Sequence, residues 1–341
     1  MALVSGAAVD HATWQPFSAI PDGLVLPVGV DPEGRTGPTR HQAQGPRWRQ
    51  TSSGRYVPST VDGSRVEQRV LEQGSRVRTH GAVTGWASLR WHGAARFDGT
   101  SLDGTWAPVP LVTGGSRLRG DARVVISQEQ LAPPERVCLG PLWLTVPPRA
   151  VFDEIRRHRN VREGAVDIDM TVAAGVCTWE EIAAYIGRRN AWTGIELARQ
   201  ALALSGNDCR SPQEVRMVLV WMLDADLPRP MCNVPLFDHT GRLLAVADLF
   251  DPETGCVGEY QGLDHKSGER HRRDVAREQR LRDAGLECFE VVGGDLRDRG
   301  MVAARMRAAR QRASYSTIPC GWTLTQPDWW PAWAAARGLT R

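Results

Sequence analysis

The chain contains 341 residues, of which 42% are apolar and 24% charged, and its formal net charge is +3. This length predicts two or three domains, and the composition is that of a globular protein. The small net charge does not select a polyanionic partner, so any DNA binding must depend on local basic clusters. The chain shows no signal-like start and no long apolar run, which predicts a cytoplasmic protein with no membrane partner.

The cysteines and lysines limit the class of protein further. Seven cysteines are scattered along the chain without a CxxC pair. A dispersed, odd-numbered set argues against a disulfide framework and against a structural zinc site. Lys266 is the only lysine, and nearly all other basic residues are arginines. A GC-rich genome is the simplest explanation for this bias.

Residues 1–62 are rich in proline, glycine and polar residues and are predicted to form a basic arm or wing. Positions 35–61 hold five arginines and no acidic residue. Trp48 and Tyr56 are interleaved with three of these arginines, Arg47, Arg49 and Arg55. Arginines pair with DNA phosphates and aromatic rings stack on bases, so this stretch is a candidate DNA contact. The alternative is a solvated loop whose aromatic residues dock on the domain behind it.

Residues 63–206 are predicted to form a mixed α+β region. Short apolar runs precede a stretch with helical periodicity from about residue 149 to 207. Thr178, followed by Glu180 and Glu181, is typical of a helix N-terminus. Four acids of the helical stretch invite a metal assignment, but they are interpreted as exposed helix and loop charges: Asp153, Glu154, Asp167 and Asp169.

Residues 207–314 are predicted to form a separate domain, which begins at a polar boundary followed by a helix start. Ser211, Pro212 and Glu214 match a capping box with proline in the first helical position. The cap is a complete structural explanation for Glu214. A second role, which the cap does not exclude, is that of a third carboxylate beside two acids of the following sheet.

Those two acids lie on strands joined by a turn. The run 243–250 is apolar except for Asp248, and the run 256–261 contains Glu259. Side chains alternate between the two faces along a strand, so Glu259 and Gln261 point the same way. Two carboxylates on neighbouring strands, with a polar group two residues on, suit a hard cation such as Mg²⁺ or Mn²⁺. Such an ion can hold a phosphodiester and activate a water.

A basic segment follows these strands and enters a helix predicted over 267–284. His265 and Lys266 are candidates for a general base or a phosphate contact. Arg273 and Arg277 are helical neighbours at i, i+4 and can clamp a phosphate. Acidic residues interleave with these arginines, so an exposed salt-bridged helix face is an equally good interpretation.

A strand at 286–292 and a helix at 295–312 complete the domain. The order helix, three strands, helix, strand, helix predicts a compact α/β unit. The tryptophan-rich tail, 315–341, is interrupted by prolines. We expect it to pack back as a short helix, and the alternative is an exposed binding patch.

The αβββαβ order and the spacing Asp248…Glu259-Tyr260-Gln261 resemble the restriction-endonuclease-like fold, whose signature is PD-(D/E)xK. More closely, the segments SPQE, ADLFDPETGCVGEYQG and RRDVAREQRLRDAGLECFEVV are similar to very-short-patch-repair-type endonuclease domains of actinobacterial proteins. The upstream segments GRYVP and GAVTGWASLRWHGA resemble the winged-helix region of abortive-infection antitoxins. Such a region often precedes the nuclease-like domain. The closer resemblance covers about the last third of the chain.

The resemblance implies a metal-dependent endodeoxyribonuclease of a repair or defence type. It makes Asp248 the metal-binding acid of the second strand, Glu259 the acid of the (D/E)xK element and Glu214 the helix acid. Gln261 stands at the lysine position of the signature, and Ala247 stands where the signature has proline. An amide can ligate a metal or orient a water but supplies no charge.

Two other functions stay open from the sequence. The first is a DNA-binding, antitoxin-like regulator that keeps the nuclease fold with a weakened site, which the glutamine at position 261 favours. The second is a protein-interaction module, which the modest net charge favours. The sequence also leaves open whether the chain acts as a homodimer or with a partner protein.

Overall fold

The residues that the computed structural model describes are 20–77, 80–101, 103–262 and 277–339. They divide into two compact units. The first unit contains the chain up to Asp167 and residues 174–199. The second contains residues 168–173 and the chain from Gln200 onward.

The first unit is mixed α/β. Its strands among the described residues are β1 (Trp48–Ser52), β2 (Arg55–Pro58), β3 (Ala82–Val83), β4 (Val109–Val112), β5 (Val124–Ser127), β6 (Arg136–Leu139) and β7 (Leu142–Thr145). Its helices are α1 (Val66–Gly74), α2 (Gly85–His92), α3 (Pro147–His158), α4 (Val161–Ala173), α5 (Trp179–Gly187) and α6 (Ile195–Leu204). The division between the units falls inside α4 and α6.

A five-stranded sheet with the order β5-β4-β3-β7-β6 forms the centre of the first unit. β3 pairs with β4 in the antiparallel direction and with β7 in the parallel direction, so the sheet is mixed. Helix α2 buries Trp86 and Trp91. Thr178 caps α5 as predicted, because its hydroxyl accepts a hydrogen bond from the Glu181 N–H at 3.2 Å.

The second unit contains helices before, between and after its strands. The strands are β8 (Val234–Phe237), β9 (Leu243–Ala247), β10 (Leu249–Asp251), β11 (Cys256–Gln261) and β12 (Glu287–Val292). The helices are α7 (Pro212–Leu223), α8 (277–283), α9 (Arg299–Ser314) and α10 (Trp330–Ala335). The earlier part of the helix predicted over 267–284 lies outside the described residues.

The strands of this unit pair in both antiparallel and parallel directions. β8 and β9 are antiparallel, β10 and β11 are antiparallel, and β11 and β12 are parallel. The predicted order of elements is therefore present, with the predicted second strand divided at Asp248 into β9 and β10. A parallel β11–β12 pair requires a crossover connection, and α8 belongs to that connection.

These strands form two sheets, β8-β9 and β10-β11-β12. The core of the second unit draws on both sheets and includes Leu236, Phe250, Val257 and Leu286. The tryptophan-rich tail packs back on the same unit, as expected. Trp330 is buried against Phe237, with ring centroids 5.3 Å apart. Among the described residues, no helix combines the length and the hydropathy needed to span a bilayer.

Candidate metal centre

Helix α7 places the first acid of the candidate site through its N-cap. The Ser211 hydroxyl accepts a hydrogen bond from the Glu214 N–H at 3.2 Å and donates one to Glu214 Oε1 at 2.8 Å. The other carboxylate oxygen, Oε2, accepts the Arg210 N–H at 2.8 Å. In the predicted capping box, the Glu214 side chain accepts the backbone N–H of the cap residue, Ser211. In the structure it instead accepts the N–H of Arg210, one residue earlier. Glu214 is nevertheless fixed at the start of the helix.

Asn233 links Glu214 to the sheet. Its side-chain amide donates to Glu214 Oε2 at 2.8 Å, and its backbone N–H donates to the Asp248 carbonyl at 3.4 Å. A single residue just before β8 thus contacts both the helix acid and the backbone of the strand acid. The sequence carried no signal for this role, because it depends on a contact between segments that are distant along the chain.

Asp248 lies at the point where β9 ends and β10 begins. Leu249 pairs with Gly258 across the antiparallel ladder, so the next position in register sets Asp248 opposite Glu259. The Tyr260 N–H donates to Asp248 Oδ2 at 2.9 Å, which holds the carboxylate against β11. The structure therefore brings Asp248 beside the Glu259 strand, as the turn and the side-chain alternation predicted.

The electrostatics of Asp248 connect all three acids. Burial raises the pKa of Asp248 to about 7, against a hydrogen bond from the Tyr260 N–H that lowers it. The carboxylates of Glu214 and Glu259 raise this pKa further, and the Arg277 guanidinium lowers it. Glu214 and Glu259 therefore both act on Asp248 through the repulsion of like charges.

Glu259 already has a cationic partner in α8. Arg277 Nη1 donates to Glu259 Oε2 at 2.7 Å, and Nη2 donates to Oε1. This is a two-point ion pair, the geometry in which arginine binds carboxylates most strongly. Arg277, predicted to hold DNA phosphate, therefore neutralises one acid of the candidate metal centre.

Gln261 also has a partner on a neighbouring strand. Its side-chain amide donates to Glu290 Oε1 at 2.6 Å. The parallel register pairs Glu259 with Glu290, so Glu259, Gln261 and Glu290 share one face of the sheet. The sequence prediction that Glu259 and Gln261 point the same way agrees with this face. Glu290 was not identified from the sequence, because its position depends on the register of β12.

The remaining predicted site residues divide into two groups. His265, Lys266 and Arg273 lie outside the described residues. In the N-terminal hairpin, Arg47 and Arg55 are exposed. Arg49 instead forms a two-point ion pair with Glu72 in α1, at 3.0 and 2.7 Å. Of the three N-terminal arginines predicted to contact DNA, Arg49 is therefore the one that is paired with an acid of its own unit.

A second acidic group lies in the first unit, and here the sequence interpretation is wrong. The four acids interpreted as exposed charges are instead buried or largely buried: Asp153, Glu154 and Asp167 in the first unit, and Asp169 in the second. Ligand atoms of Glu154, His158 and Asp167 lie within 4.8 Å of one another, so this group has a spacing that can hold a metal ion. The i, i+4 spacing of Glu154 and His158 was the available sequence signal.

Cations already compensate this second group. Glu154 is 2% exposed, accepts the Trp86 N–H at 3.0 Å and is paired with Arg157 and with His158 at 3.2 Å. Burial raises the pKa of Glu154, but hydrogen bonds from His158 and Arg157 outweigh burial and hold the pKa below its usual value. Burial raises the pKa of Asp167, which His158 only partly offsets.

The two acidic groups differ in how well they fit a hard divalent cation. Asp248, Glu259 and Glu214 offer oxygen donors, which are the ligands of Mg²⁺ and Mn²⁺. Among the described residues, however, Glu154, His158 and Asp167 are the one set of three with ligand atoms within 4.8 Å. The Asp248 group thus matches a hard divalent cation in its oxygen donors and in its excess of negative charge. Arg277 would compete with such a cation for Glu259. No protein-family model, curated protein or solved structure matches this chain.

Proposed function

We propose that the protein is a metal-dependent endonuclease that hydrolyses phosphodiester bonds in DNA, with its active site at Asp248. One observation carries the proposal: the β10–β11 register and the Tyr260 N–H, 2.9 Å from Asp248 Oδ2, hold the largely buried Asp248 carboxylate against the Glu259 strand. Burial and the neighbouring acids Glu214 and Glu259 raise the pKa of this carboxyl to about 7. Burial and nearby like charges both destabilise the ionised form of an acid. A bound cation stabilises that ionised form, so such an acid has the most to gain from metal binding. Strongly perturbed acids of this kind are concentrated at functional sites.

The arrangement of the second unit supports the same function. An antiparallel hairpin carrying Asp248 and Glu259, followed by a helix and a parallel strand, agrees with the restriction-endonuclease-like order of very-short-patch-repair-type domains. Glu214 at the start of α7 takes the position of the helix acid in that resemblance. The proposal rests on the chemistry of the site together with this analogy of fold.

In this proposal Asp248 and Glu259 would hold Mg²⁺ or Mn²⁺, and Glu214 would complete the set of oxygen ligands. A bound ion of this kind polarises a phosphoryl oxygen and lowers the pKa of its water. The Tyr260 N–H orients the Asp248 carboxylate, and Asn233 fixes Glu214. Arg277 leaves Glu259 for a DNA phosphate, since one guanidinium can form the same two-point contact with either anion.

A DNA-binding regulator with a weakened nuclease site is the second candidate, and specific contacts favour it. Arg277 neutralises Glu259, and the Gln261 amide is bonded to Glu290. A lysine at position 261 would supply a positive charge that glutamine lacks. In this alternative the exposed Arg47 and Arg55 of the β1–β2 hairpin contact DNA phosphates.

Nicking of supercoiled plasmid DNA in Mg²⁺ or Mn²⁺, compared with EDTA, tests the proposal. The samples are the full chain, Asp248→Asn, and a matched control, Glu253→Gln, which changes an exposed acid of the β10–β11 turn. We expect metal-dependent nicking by wild type and control, and a loss of about 100-fold or more in Asp248→Asn. DNA binding without nicking supports the regulator. Nicking that survives in Asp248→Asn contradicts the assignment of the site.

A further inference from the structure

Two cysteines of the second unit lie on separate segments that meet beside Glu214. Cys209 precedes helix α7, and Cys232 precedes strand β8. The Cys209 side chain is 1% exposed, whereas Cys232 is only partly buried. Both are free thiols. The Cys209 thiol donates to the Asn207 carbonyl at 3.6 Å, and Cys232 acts on the same thiol as a side-chain partner. The two sulfurs are therefore neighbours, although 22 residues separate them along the chain.

Hydrogen bonds next to both cysteines hold the segments together. The Asn233 side-chain amide donates to the Asp208 carbonyl at 3.1 Å and to Glu214 Oε2 at 2.8 Å. Asp208 is adjacent to Cys209, and Asn233 is adjacent to Cys232. The proximity of the thiols thus follows from the backbone of the two segments as well as from the sulfur contact.

We propose that Cys209 and Cys232 are a redox-active pair that closes to a disulfide when the protein meets a peroxide. A disulfide sets the sulfurs about 2.05 Å apart, with Cβ atoms about 3.8 Å apart. The Asn233–Asp208 contact already brings the residues next to both cysteines together, so the sulfurs need only a small approach to reach this geometry.

The exposure of the two thiols assigns their order of reaction. Cys232 is the more accessible, so its sulfur attacks the peroxide oxygen, gives a sulfenic acid and releases one water from hydrogen peroxide. The Cys209 sulfur then attacks the Cys232 sulfur, forms the S–S bond and releases a second water. Two thiols lose two electrons and two protons, and one hydrogen peroxide becomes two waters. The Cys232 contact and burial raise the pKa of Cys209, which suits the thiol that reacts second.

Closure of the disulfide acts on the candidate site through Asn233. This residue donates to Glu214 Oε2 and, through its backbone, to the Asp248 carbonyl. A shift of the Cys232 segment toward Cys209 therefore changes the position of Glu214 relative to Asp248. This second step rests on the proposed nuclease function, whereas formation of the disulfide does not.

Peptide mapping of the full chain tests the disulfide directly. Trypsin places the two cysteines on separate peptides, residues 200–210 and 217–242, because the Arg229–Pro230 bond resists cleavage, and neither peptide contains another cysteine. The protein is treated with hydrogen peroxide, blocked with an alkylating reagent under denaturing conditions, and digested without reductant. We expect one linked peptide pair that dithiothreitol separates. Cys138→Ser, which removes an exposed thiol of the first unit, is the matched control and should leave the linked pair unchanged.

Cys232→Ser should abolish the linked pair and leave Cys209 fully alkylated. If wild-type peptides 200–210 and 217–242 both remain alkylated and unlinked after peroxide treatment, or if either cysteine pairs with a different partner, the redox pair is overturned. Plasmid nicking on the same samples separates the two claims. A linked pair together with no nicking in the reduced protein retains the disulfide and removes the proposed function. Nicking without a linked pair retains the proposed function and removes the disulfide.

Discussion

Glu154 in the first unit and Asp248 in the second unit are both acids removed from water, but their pKa values shift in opposite directions. Glu154 is the more buried, yet Arg157 and His158 hold its pKa below the usual value. Asp248 is less buried, and its pKa rises to about 7. Its closest hydrogen-bond donor is a neutral backbone N–H, from Tyr260. The nature of the neighbours therefore decides the shift more than the depth of burial.

This difference separates a structural acid from a candidate metal ligand. An acid bonded to a guanidinium already has its counter-charge, and a metal ion must displace that partner before it binds. An acid whose neighbours are other acids lacks a counter-charge and gains one when a cation binds. The ligand atoms of Glu154, His158 and Asp167 have the spacing that suits a metal ion. The uncompensated negative charge around Asp248 nevertheless makes the Asp248 group the stronger candidate for cation binding.

The largest expected effect comes from removing a buried cation from the first unit. Arg149 is fully buried and is paired with Asp153 at 2.9 Å and with Glu129 at 2.5 Å. Arg149→Met removes the fully buried one of the two guanidiniums that pair with these acids, the other being Arg156, and should lower the free energy of unfolding by about 3–5 kcal/mol. Urea unfolding at pH 7, followed by circular dichroism, measures the loss.

The matched control for this prediction is Arg199→Met. Arg199 is exposed, and its nearest acid, Glu196, lies 3.8 Å away. An exposed pair of this kind contributes less than about 1 kcal/mol. Equal losses in the two variants would show that the ion pairs of the first unit do not compensate its buried acids.

Asp248→Asn should remove a pH dependence of stability. The pKa of Asp248 in the folded protein, about 7, lies above its unfolded value of about 3.9. A raised pKa contributes stability that is complete below pH 4 and is lost as the pH rises to about 7. The difference in unfolding free energy between wild type and Asp248→Asn should thus fall by up to about 4 kcal/mol over this range. A flat difference would place Asp248 in an ordinary environment.

Arg277→Gln tests whether the Glu259 ion pair competes with metal. The variant frees the Glu259 carboxylate from its two-point contact. We expect Mn²⁺ to bind about five-fold more tightly, as follows from a partly exposed ion pair worth ~1 kcal/mol. Calorimetric titration of both proteins measures the change. Weaker Mn²⁺ binding in the variant would mean that Arg277 supports the ligands instead of competing for them.

Contacts between residues close together in the sequence could be predicted from the sequence alone. The Ser211 cap follows from a residue pattern within one helical turn, and the structure has it. Asp248 directly precedes β10 and Glu259 lies on β11, so the short turn was sufficient to predict that Asp248 lies against the Glu259 strand. The Gln261–Glu290 bond was beyond prediction, because it depends on the register of two parallel strands that a helix separates in sequence.

Glu154 in the first unit shows why a buried acid was interpreted from the sequence as an exposed one. An acid followed three residues later by an arginine on a helix, as in Glu154 and Arg157, has the spacing of an exposed ion pair. Burial of that pair depends on the α2–α3 packing, in which the Trp86 N–H reaches Glu154. Sequence periodicity alone gives no information on such a contact between helices.

Calorimetric titration with Mn²⁺ at pH 8, where Asp248 is ionised, tests the central claim most directly. Asp248→Asn and Glu154→Gln are matched amide replacements of the two acids, one from each unit, and circular dichroism confirms that both variants are folded. We predict that wild type and Glu154→Gln bind with similar affinity and that Asp248→Asn loses about 10-fold or more. Binding that persists in Asp248→Asn and disappears in Glu154→Gln would assign the metal to the first unit and contradict the proposed active site.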